Sequence, residues 1–154
     1  AAVIESGCPV VAMHSRGELE TMQKGIRFAD VTREVRDELE QIGNRAIAAG
    51  LDEQQLIYDP GIGFGKGARH NLRLLRELDR LQTLGRPLLV GASRKSFIAK
   101  VRSAPPDQRL GGSLAAAAWA AQVGASILRV HDVAETIQFL DVWNAIDSAV
   151  EQPT

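Results

Sequence analysis

Four short apolar runs, each continuous rather than alternating with polar residues, are the feature of this sequence that most restricts its fold. They span Pro9 to His14, Leu56 to Asp59, Pro87 to Ser93 and Ile127 to His131. A continuous run of this length indicates a strand that is covered on both faces, as in a parallel sheet flanked by helices. The sequence therefore predicts repeated βα units.

Helical patterns separate these runs. Gly50 and Gly85 are expected to end the first two long helices, and Gly7 to close a helix end at the start of the chain. The expected N-terminal signals are short polar side chains. They are Asp30 as an N-cap, Asn71 as an N-cap, Ser113 as the opening of a helix that runs to Gly124, and Asp132 with Glu135 as a capping box.

The order of elements is a helix end followed by four βα units. Right-handed crossovers place the four strands side by side and parallel. This α/β arrangement suits half of a TIM (β/α)8 barrel or a small open sheet, because a closed eight-stranded barrel needs about 250 residues. The chain has 154 residues and no composition break, so we expect one domain over residues 1–154. Since it begins without methionine at an apparent helix end, we also expect a fragment.

The composition excludes several classes of protein. Hydrophobic residues make up 45% and charged residues 24% of the chain, with a formal net charge of −1, as in one soluble globular unit. No basic cluster indicates a nucleic-acid surface, and no apolar stretch reaches the roughly 20 residues that span a membrane. Cys8 is the single cysteine, and no Cys/His spacing suggests zinc, so we predict a reducing, cytoplasmic location. Cys8 itself is expected to be small and buried.

Polar residues follow each predicted strand. In parallel α/β folds the carboxyl ends of the strands carry the chemistry. The polar groups at the four ends are His14 with Ser15, Asp59, the run from Ser93 to Ser96, and Arg129 with His131 and Asp132. Any one of them suits a helix cap or a solvated loop charge, but the four ends together predict a functional site.

Asp59 is followed by Pro60 and Gly61, a rigid turn that leaves its carboxylate little freedom. Such a carboxylate suits two parallel N–H donors, as on the edge of a guanine-like heterocycle, although a capping or turn role is an equal alternative. The segment DPGIGFGKG matches neither G-x-G-x-x-G nor the P-loop. Its small residues are expected to let a flat ligand approach the backbone, with Phe64 as an apolar wall.

Two pairs of basic residues at strand ends predict an anion site. Arg94 and Lys95 follow a strand and open a short helical segment, where anions bind readily, although a solvated basic turn is the alternative. Arg129 and His131 alternate along their strand and so point to one face. An arginine in a core strand needs an anion or an acidic partner such as Asp59. For His131, phosphate binding, proton transfer and a hydrogen-bonded core histidine all remain open.

Five segments, MHSRG, DPGIGFGKG, GASRKSF, RLGGSLAAA and RVHDVAET, in this order and spacing resemble the carboxyl-terminal half of the dihydropteroate synthases, a family of pterin-binding TIM barrels. The resemblance covers nearly the whole chain. DPGIGFGK alone is also expected in other pterin-binding barrels, including methyltetrahydrofolate:corrinoid methyltransferases, whereas SRKS with RVHDV favours the synthases. The chain departs from the family pattern at Ser15, usually a hydrophobic position, and near Glu18 or Leu19, where the family usually has a proline.

The resemblance implies condensation of 6-hydroxymethyl-7,8-dihydropterin pyrophosphate with p-aminobenzoate to give dihydropteroate and pyrophosphate, a step of folate biosynthesis. It implies that Asp59 holds the amino and N–H edge of the pterin and that Lys95 hydrogen-bonds the pterin oxygen and ring nitrogen. Met13, Phe64 and Gly91 then line the same pocket.

The remaining site residues also follow from the resemblance. Arg129 is expected against the pterin face and, with His131, on the pyrophosphate. Arg94 and Ser96 are expected at the p-aminobenzoate. Lys95, Arg129 and His131 would act in catalysis by electrostatic stabilisation, without a nucleophilic side chain.

The resemblance further implies Mg2+ bound with the pyrophosphate, with its protein ligand in an amino-terminal half that has no counterpart here. The implied partners are the two small-molecule substrates and a second copy of the chain in a homodimer through the last helices. Without the first four strands, the chain is expected to be inactive alone. The alternatives are a half-barrel that binds a pterin or phosphate without turnover, and a methyltransferase.

Overall fold

The computed structural model describes residues 2–17 and 27–149. The helices are α1 Ala2–Ser6, α2 Val31–Ala48, α3 Ala68–Arg76, α4 Ser96–Val101, α5 Leu110–Gln122 and α6 Val133–Asp147. The strands are β1 Val10–Met13, β2 Leu56–Asp59, β3 Leu89–Val90 and β4 Ile127–Leu128. Short 3-10 turns lie at Glu53–Gln55, Leu78–Leu84 and Pro106–Gln108.

The strands are parallel and follow one another in sheet order. β1 pairs with β2, and β3 pairs with β4. A parallel bridge between Tyr58 and Leu88 joins the two pairs. The spatial order is therefore β1, β2, β3, β4, which confirms the prediction of four adjacent parallel strands.

β3 and β4 are shorter than the apolar runs that predicted them. Each has two residues, and the chain leaves the ladder before Gly91 and Arg129 respectively. The backbone N–H of Arg129 still donates to the carbonyl of Val90, at 2.9 Å, so the departure is gradual. The polar ends of the two predicted strands are therefore loops above the sheet, where parallel α/β folds place their ligand contacts.

α2 forms as the sequence predicts. The Asp30 carboxylate accepts a hydrogen bond from the Arg33 N–H, at 3.2 Å, and caps the helix. Val31, Val35 and Leu39 are buried on one face, as the spacing of apolar residues requires. Gly50 follows the helix with a φ of 98°, a left-handed conformation that favours glycine and ends the helix.

Two of the predicted N-terminal signals are wrong. Asn71 lies inside α3, and its side chain accepts from the Gly63 N–H at 2.7 Å while donating to the carbonyls of Lys66 and Gly67. Ser113 likewise lies inside α5. In both cases the polar side chain bonds to the loop before its helix instead of capping the helix start.

The predicted capping box of Asp132 and Glu135 is also wrong. Asp132 occupies the N-cap position of α6, but its side chain makes no capping hydrogen bond. The carboxylate instead accepts two hydrogen bonds from the guanidinium of Arg94. A bidentate charged donor pair is stronger than one backbone N–H, which explains the choice.

The prediction for Cys8 is wrong as well, because its side chain is exposed. Cys8 lies between α1 and β1, before the pairing of β1 with β2 begins at Val10. Its backbone carbonyl accepts a hydrogen bond from the Gln55 side chain, at 2.8 Å. This position places the thiol outside the core.

The core lies between the sheet and the helices that follow it. Its largest fully buried apolar side chains come from α2, the β2 and β3 region and the segment from α3 to the 3-10 turn after it: Val31, Val35, Leu39, Leu56, Ile62, Leu74, Leu78, Leu81, Leu88 and Val90. α6 is different, because its apolar side chains Val133, Ile137, Val142, Trp143 and Ile146 are exposed. Across residues 2–17 and 27–149, every helix is too short or too polar to cross a bilayer.

Candidate active site

Asp59 ends β2 and is almost fully buried. Its Oδ1 atom accepts a hydrogen bond from the Gly61 N–H, at 2.7 Å, so the turn fixes the carboxylate as the sequence predicts. Its Oδ2 atom lies 3.9 Å from Nη2 of Arg129. Burial raises the pKa of Asp59, and the Gly61 hydrogen bond together with the charges of Arg129, Lys66 and Lys95 opposes that rise.

Lys95 lies at the N-cap position of α4 and extends over the DPGIGFGKG segment. Its Nζ atom is 4.1 Å from the centroid of the Phe64 ring, a cation–π contact. A Cβ atom on Gly63 would come within 3.2 Å of the Lys95 Cδ atom. Burial lowers the pKa of Lys95, as does the nearby charge of Arg129, while Asp59 raises it.

Arg129 leaves the sheet after β4 and passes Gly91, which follows β3. A Cβ atom on Gly91 would lie 2.8 Å from the Arg129 Nη2 atom. The missing side chain of Gly91 therefore makes room for the guanidinium, which remains more than half exposed at 58% of its side-chain area. An exposed arginine next to a buried carboxylate can still accept an anionic ligand.

His131 is held by Ser93. The Ser93 Oγ atom lies 2.9 Å from the His131 Nδ1 atom and accepts the His131 backbone N–H at 3.3 Å. Because the serine oxygen accepts one hydrogen, its own hydroxyl hydrogen is available for Nδ1. The Nε2 atom is then the ring nitrogen left to meet a ligand, and the ring is exposed.

Arg94 is the one residue other than glycine with a positive φ in the described part of the chain, at 56°. Its backbone N–H donates to the Ser113 hydroxyl at 2.9 Å, and its carbonyl accepts from Arg109 at 2.8 Å. Its guanidinium forms the bidentate pair with Asp132. The left-handed conformation costs an L-residue of order 1 kcal/mol, and these contacts hold it in place.

The structure brings most of the predicted site residues to one end of the sheet. Met13 is the register partner of Asp59 on the neighbouring strand and is partly exposed. Ser96 is exposed in the first turn of α4. Arg129 lies close to both Asp59 and Gly91, and Lys95 contacts Phe64. The guanidinium of Arg94 instead contacts Asp132. Glu18 and Leu19, where the sequence differs from the family pattern, lie outside the described residues.

Sequence reasoning missed a buried polar cluster beneath this site. Lys66 is only 2% exposed, and its Nζ atom contacts the His14 Nδ1 atom at 2.8 Å. On the other side of the ring, the His14 Nε2 atom contacts a carboxylate oxygen of Glu38 at 2.9 Å. Arg16 then binds both Glu38 and Glu34. Two features of the sequence pointed to this cluster. Lys66 lies inside a glycine-rich segment, and His14 ends the apolar run that forms the neighbouring strand.

The charge states of this cluster are set by burial. Burial and the neighbouring Lys66 lower the pKa of His14 to about 4, so the imidazole is neutral near pH 7. Burial also lowers the pKa of Lys66 to about 7, against the opposing effect of the Asp59 and Glu38 charges. Arg16 lowers the pKa of Glu38, which keeps that carboxylate ionised.

No group of three His, Cys, Asp or Glu side chains placed to hold a metal ion occurs among residues 2–17 and 27–149. A cavity of about 550 Å3 lies elsewhere, between α3, α4 and α5, with Leu72, Phe97 and Trp119 in its lining. None of the predicted site residues lines it, so we assign the site from the side chains at the strand ends.

These features define a class of protein, a parallel βα half-barrel with a buried carboxylate, a lysine and an arginine at its strand ends. The profile of the pterin binding enzyme family matches residues 1–131. The chain belongs to this family of pterin-binding enzymes.

Relatives agree with the family assignment. The dihydropteroate synthase of Escherichia coli is 46% identical over 151 residues, which cover 97% of this chain and 53% of that protein. The Yersinia pestis dihydropteroate synthase, solved with a sulfonamide drug, superposes with a TM-score of 0.92 at 40% identity, over 96% of this chain and 54% of that one. The Xanthomonas albilineans dihydropteroate synthase, solved with 7,8-dihydropteroate, superposes with a TM-score of 0.88 at 42% identity. The match covers 97% of this chain and 54% of that one.

The chain spans about half the length of the curated relatives it matches. Its four parallel βα units superpose on about half of the length of solved TIM-barrel relatives. The predicted fold class, a carboxyl-terminal half of a TIM barrel, is confirmed.

Proposed function

We propose that this chain is the carboxyl-terminal half of a dihydropteroate synthase. The reaction condenses 6-hydroxymethyl-7,8-dihydropterin pyrophosphate with p-aminobenzoate. The observation that carries the proposal is the buried carboxylate of Asp59, with its neighbours Lys95 and Arg129, in a chain 46% identical to a dihydropteroate synthase. A solved relative is described in complex with 7,8-dihydropteroate, the product of this condensation.

Asp59 and Lys95 would bind the pterin. A buried carboxylate that is already oriented by Gly61 suits the amino and ring N–H donors at the edge of a pterin. Lys95 donates to the pterin oxygen and ring nitrogen, and Phe64, Met13 and Gly91 line the pocket. The Lys95 ammonium already lies 4.1 Å from the centroid of the Phe64 ring, so the proposed polar donor and apolar wall of the pocket are next to each other.

Arg129 and His131 would bind the pyrophosphate and stabilise its departure. In the proposed step the bond between the pterin methylene carbon and the pyrophosphate oxygen breaks, and the electron pair leaves with the pyrophosphate. The amine nitrogen of p-aminobenzoate then bonds to the methylene carbon and releases a proton. The exposed guanidinium of Arg129 and the exposed ring of His131 are suited to a charge that develops on the leaving group.

Ser96 and Arg94 are proposed to face p-aminobenzoate. Ser96 is exposed at the start of α4, where a helix N-terminus favours a carboxylate. Arg94 already binds Asp132, so its contribution to p-aminobenzoate would be the position of the loop and a share of its charge. We therefore assign Ser96 the direct contact.

Three further features complete the proposal. Mg2+ would enter with the pyrophosphate and take its protein ligand from an amino-terminal half. The exposed apolar face of α6, together with α5, would form a homodimer interface. Residues 1–154 would form one incomplete pterin-binding domain of a cytoplasmic enzyme, inactive without the other half.

The test is a chimera in which the amino-terminal half of the Escherichia coli relative precedes this chain. We expect the chimera to consume p-aminobenzoate and release pyrophosphate, and we expect the 154-residue chain alone to do neither. Lys95→Ala in the chimera is the matched inactive control. Methyl transfer from methyltetrahydrofolate without p-aminobenzoate consumption would assign the methyltransferase class instead, and pterin binding without either reaction would leave a binding module.

A further inference from the structure

The ammonium group of Lys66 is buried beneath the candidate pterin pocket and surrounded by uncharged acceptors. Its Nζ atom lies 2.9 Å from the Phe64 carbonyl, 3.0 Å from the Gly61 carbonyl and 2.8 Å from the His14 Nδ1 atom. A fourth acceptor, the His14 carbonyl oxygen, lies at 3.4 Å. A buried ammonium is costly unless its hydrogens are all donated, and these acceptors meet that requirement.

The second half of the cluster fixes His14 as an acceptor for Lys66. The Glu38 carboxylate lies on the Nε2 side of the ring, so Nε2 carries the hydrogen and Nδ1 presents its lone pair. Arg16 donates to the same carboxylate through its Nε atom, at 3.0 Å, and holds it in place. Arg16, Glu38, His14 and Lys66 therefore form one continuous series of contacts, in which Lys66 is the last member.

The Gly61 and Phe64 carbonyls, the two nearest to Lys66, belong to the turn that carries the ligand contacts. The turn begins where the Gly61 N–H donates to Asp59, and it ends at Phe64, whose ring lies under Lys95. Packing at the base of the turn is tight, since a Cβ atom on Gly61 would lie 1.8 Å from the His14 carbonyl oxygen. Lys66 thereby sets the distance between Asp59, which is proposed to bind the pterin edge, and Phe64, which is proposed to contact the pterin face.

We propose that Lys66, oriented by His14, is a positioning residue for the pterin, which shapes the turn between Asp59 and Phe64 without touching the ligand. The inference rests on the proposed function, because it assigns a role in binding the same pterin. It adds a group that the binding scheme does not use.

The same geometry makes pterin affinity depend on pH. The charged groups that act on Lys66 are Asp59 at the end of β2, Glu38 on α2 and Arg16 after β1, with neutral His14 in contact. Below a pKa of about 7 the ammonium has three hydrogens for Gly61, Phe64 and His14. Above it the neutral amine has two, so one acceptor is lost and the turn loosens.

Folding stability must change in the opposite direction. The folded-state pKa of about 7 lies below the ordinary value of 10.5, so between these values the unfolded chain binds more protons. Stability therefore rises with pH in this window, while the proposal requires pterin affinity to fall as pH passes through 7. A role in stability alone would not produce that opposition.

The experiment measures binding of 6-hydroxymethylpterin to the chimera described above by calorimetry. This ligand lacks the pyrophosphate and so avoids the contact with His131. In Lys66→Met we expect the dissociation constant to rise between about tenfold and about a hundredfold, as the loss of a charged donor predicts. The KM for p-aminobenzoate should stay unchanged, and Lys100→Met, which removes an exposed lysine on α4, should leave both values unchanged.

The pH profile of the unmodified chimera is the second measurement, and it does not depend on how well the variant folds. We expect affinity to weaken by about threefold to tenfold from pH 6 to pH 8 after correction for the titration of the free ligand, in step with the Lys66 Nζ resonance followed by NMR. An affinity that does not follow that resonance, or equal affinities in Lys66→Met and the unmodified chimera, overturns the inference. Failure of the unmodified chimera to bind the pterin at all overturns the proposed function instead.

Discussion

The carboxylate of Asp59 and the guanidinium of Arg129 face each other over the end of β3 without a direct hydrogen bond, since Oδ2 and Nη2 are 3.9 Å apart. At this distance the positive charge still lowers the pKa of Asp59 against the effect of burial. Both groups keep hydrogen-bonding capacity for a ligand. Gly91 makes the relationship possible, because any side chain there would occupy the place of the guanidinium.

Replacing Lys95 and Arg129 in turn should separate the two parts of the substrate. Lys95→Ala in the chimera should abolish binding of 6-hydroxymethylpterin, because Lys95 is the donor proposed for the ring. Arg129→Ala should weaken the pterin pyrophosphate by about tenfold or more and affect the pyrophosphate-free pterin much less. Calorimetry with both ligands checks this, and equal losses for the two variants with the pyrophosphate-free pterin would contradict the assigned roles.

Gly91→Ala tests the space that Arg129 occupies. The new methyl group would lie 2.8 Å from Nη2, and the exposed guanidinium should move aside while the core stays intact. We expect the KM for the pterin pyrophosphate to rise about tenfold and the free energy of unfolding to change by less than about 1 kcal/mol. Steady-state kinetics and urea titration of the chimera measure the two effects, and an unchanged KM would show that Arg129 does not need this position.

Gly43→Ala tests the close packing of α2 on β2. A Cβ atom at Gly43 would lie 1.9 Å from the Tyr58 hydroxyl oxygen and 2.9 Å from a Leu56 methyl group. We expect a loss of about 1 to 3 kcal/mol in the free energy of unfolding, as for other overpacked cores.

The control for Gly43→Ala is Gly111→Ala in α5, where a Cβ atom meets no other atom within 4 Å. That change should leave stability unchanged or raise it by up to about 1 kcal/mol, because alanine favours helices. Urea unfolding of the two variants decides the matter. Similar effects at both positions would mean that the contact with Tyr58 does not limit residue 43.

The buried His14 should make the fold sensitive to acid. Its folded-state pKa of about 4 lies below the ordinary 6.5, so between these values the unfolded chain binds more protons. Stability should fall as the pH drops from 6.5 towards 4, by at most about 1.4 kcal/mol per pH unit from this group.

His14→Gln is the variant that tests this acid sensitivity. An amide can accept from Lys66 and donate to Glu38, but it does not titrate in this range. Urea unfolding midpoints between pH 4.5 and 7 should therefore depend less steeply on pH in the variant than in the unmodified chain. The same slope in both proteins would assign the acid sensitivity to other groups.

Much of the fold was predictable because the continuous apolar runs have few alternatives in a chain of this length. The residues at which α3 and α5 begin could not be predicted in this way. Asn71 and Ser113 are residues that often cap helices, yet here their side chains bond back to loops, and sequence pattern alone does not separate the two uses. The capping box at Asp132 failed for a similar reason, since its partner Arg94 is 38 residues away.

The residues of the candidate site could be predicted because they lie at strand ends. The buried polar cluster beneath them could not be predicted. Asp59, Lys95 and Arg129 each follow an apolar run, so the topology brings them together. The Lys66 cluster depends on a contact between residues 52 positions apart, and on a helix that brings Glu38 to the far side of the imidazole. A local pattern records neither of these.

The lysine beneath the turn also restricts how this segment can vary in length. Lys66 reaches back to carbonyls two and five positions earlier in the chain, and Asn71 reaches back to an N–H eight positions earlier. One inserted or deleted residue between Gly61 and Lys66 would put these donors and acceptors out of step. A change in the number of residues in this turn should therefore break the contacts of Lys66 and Asn71 together.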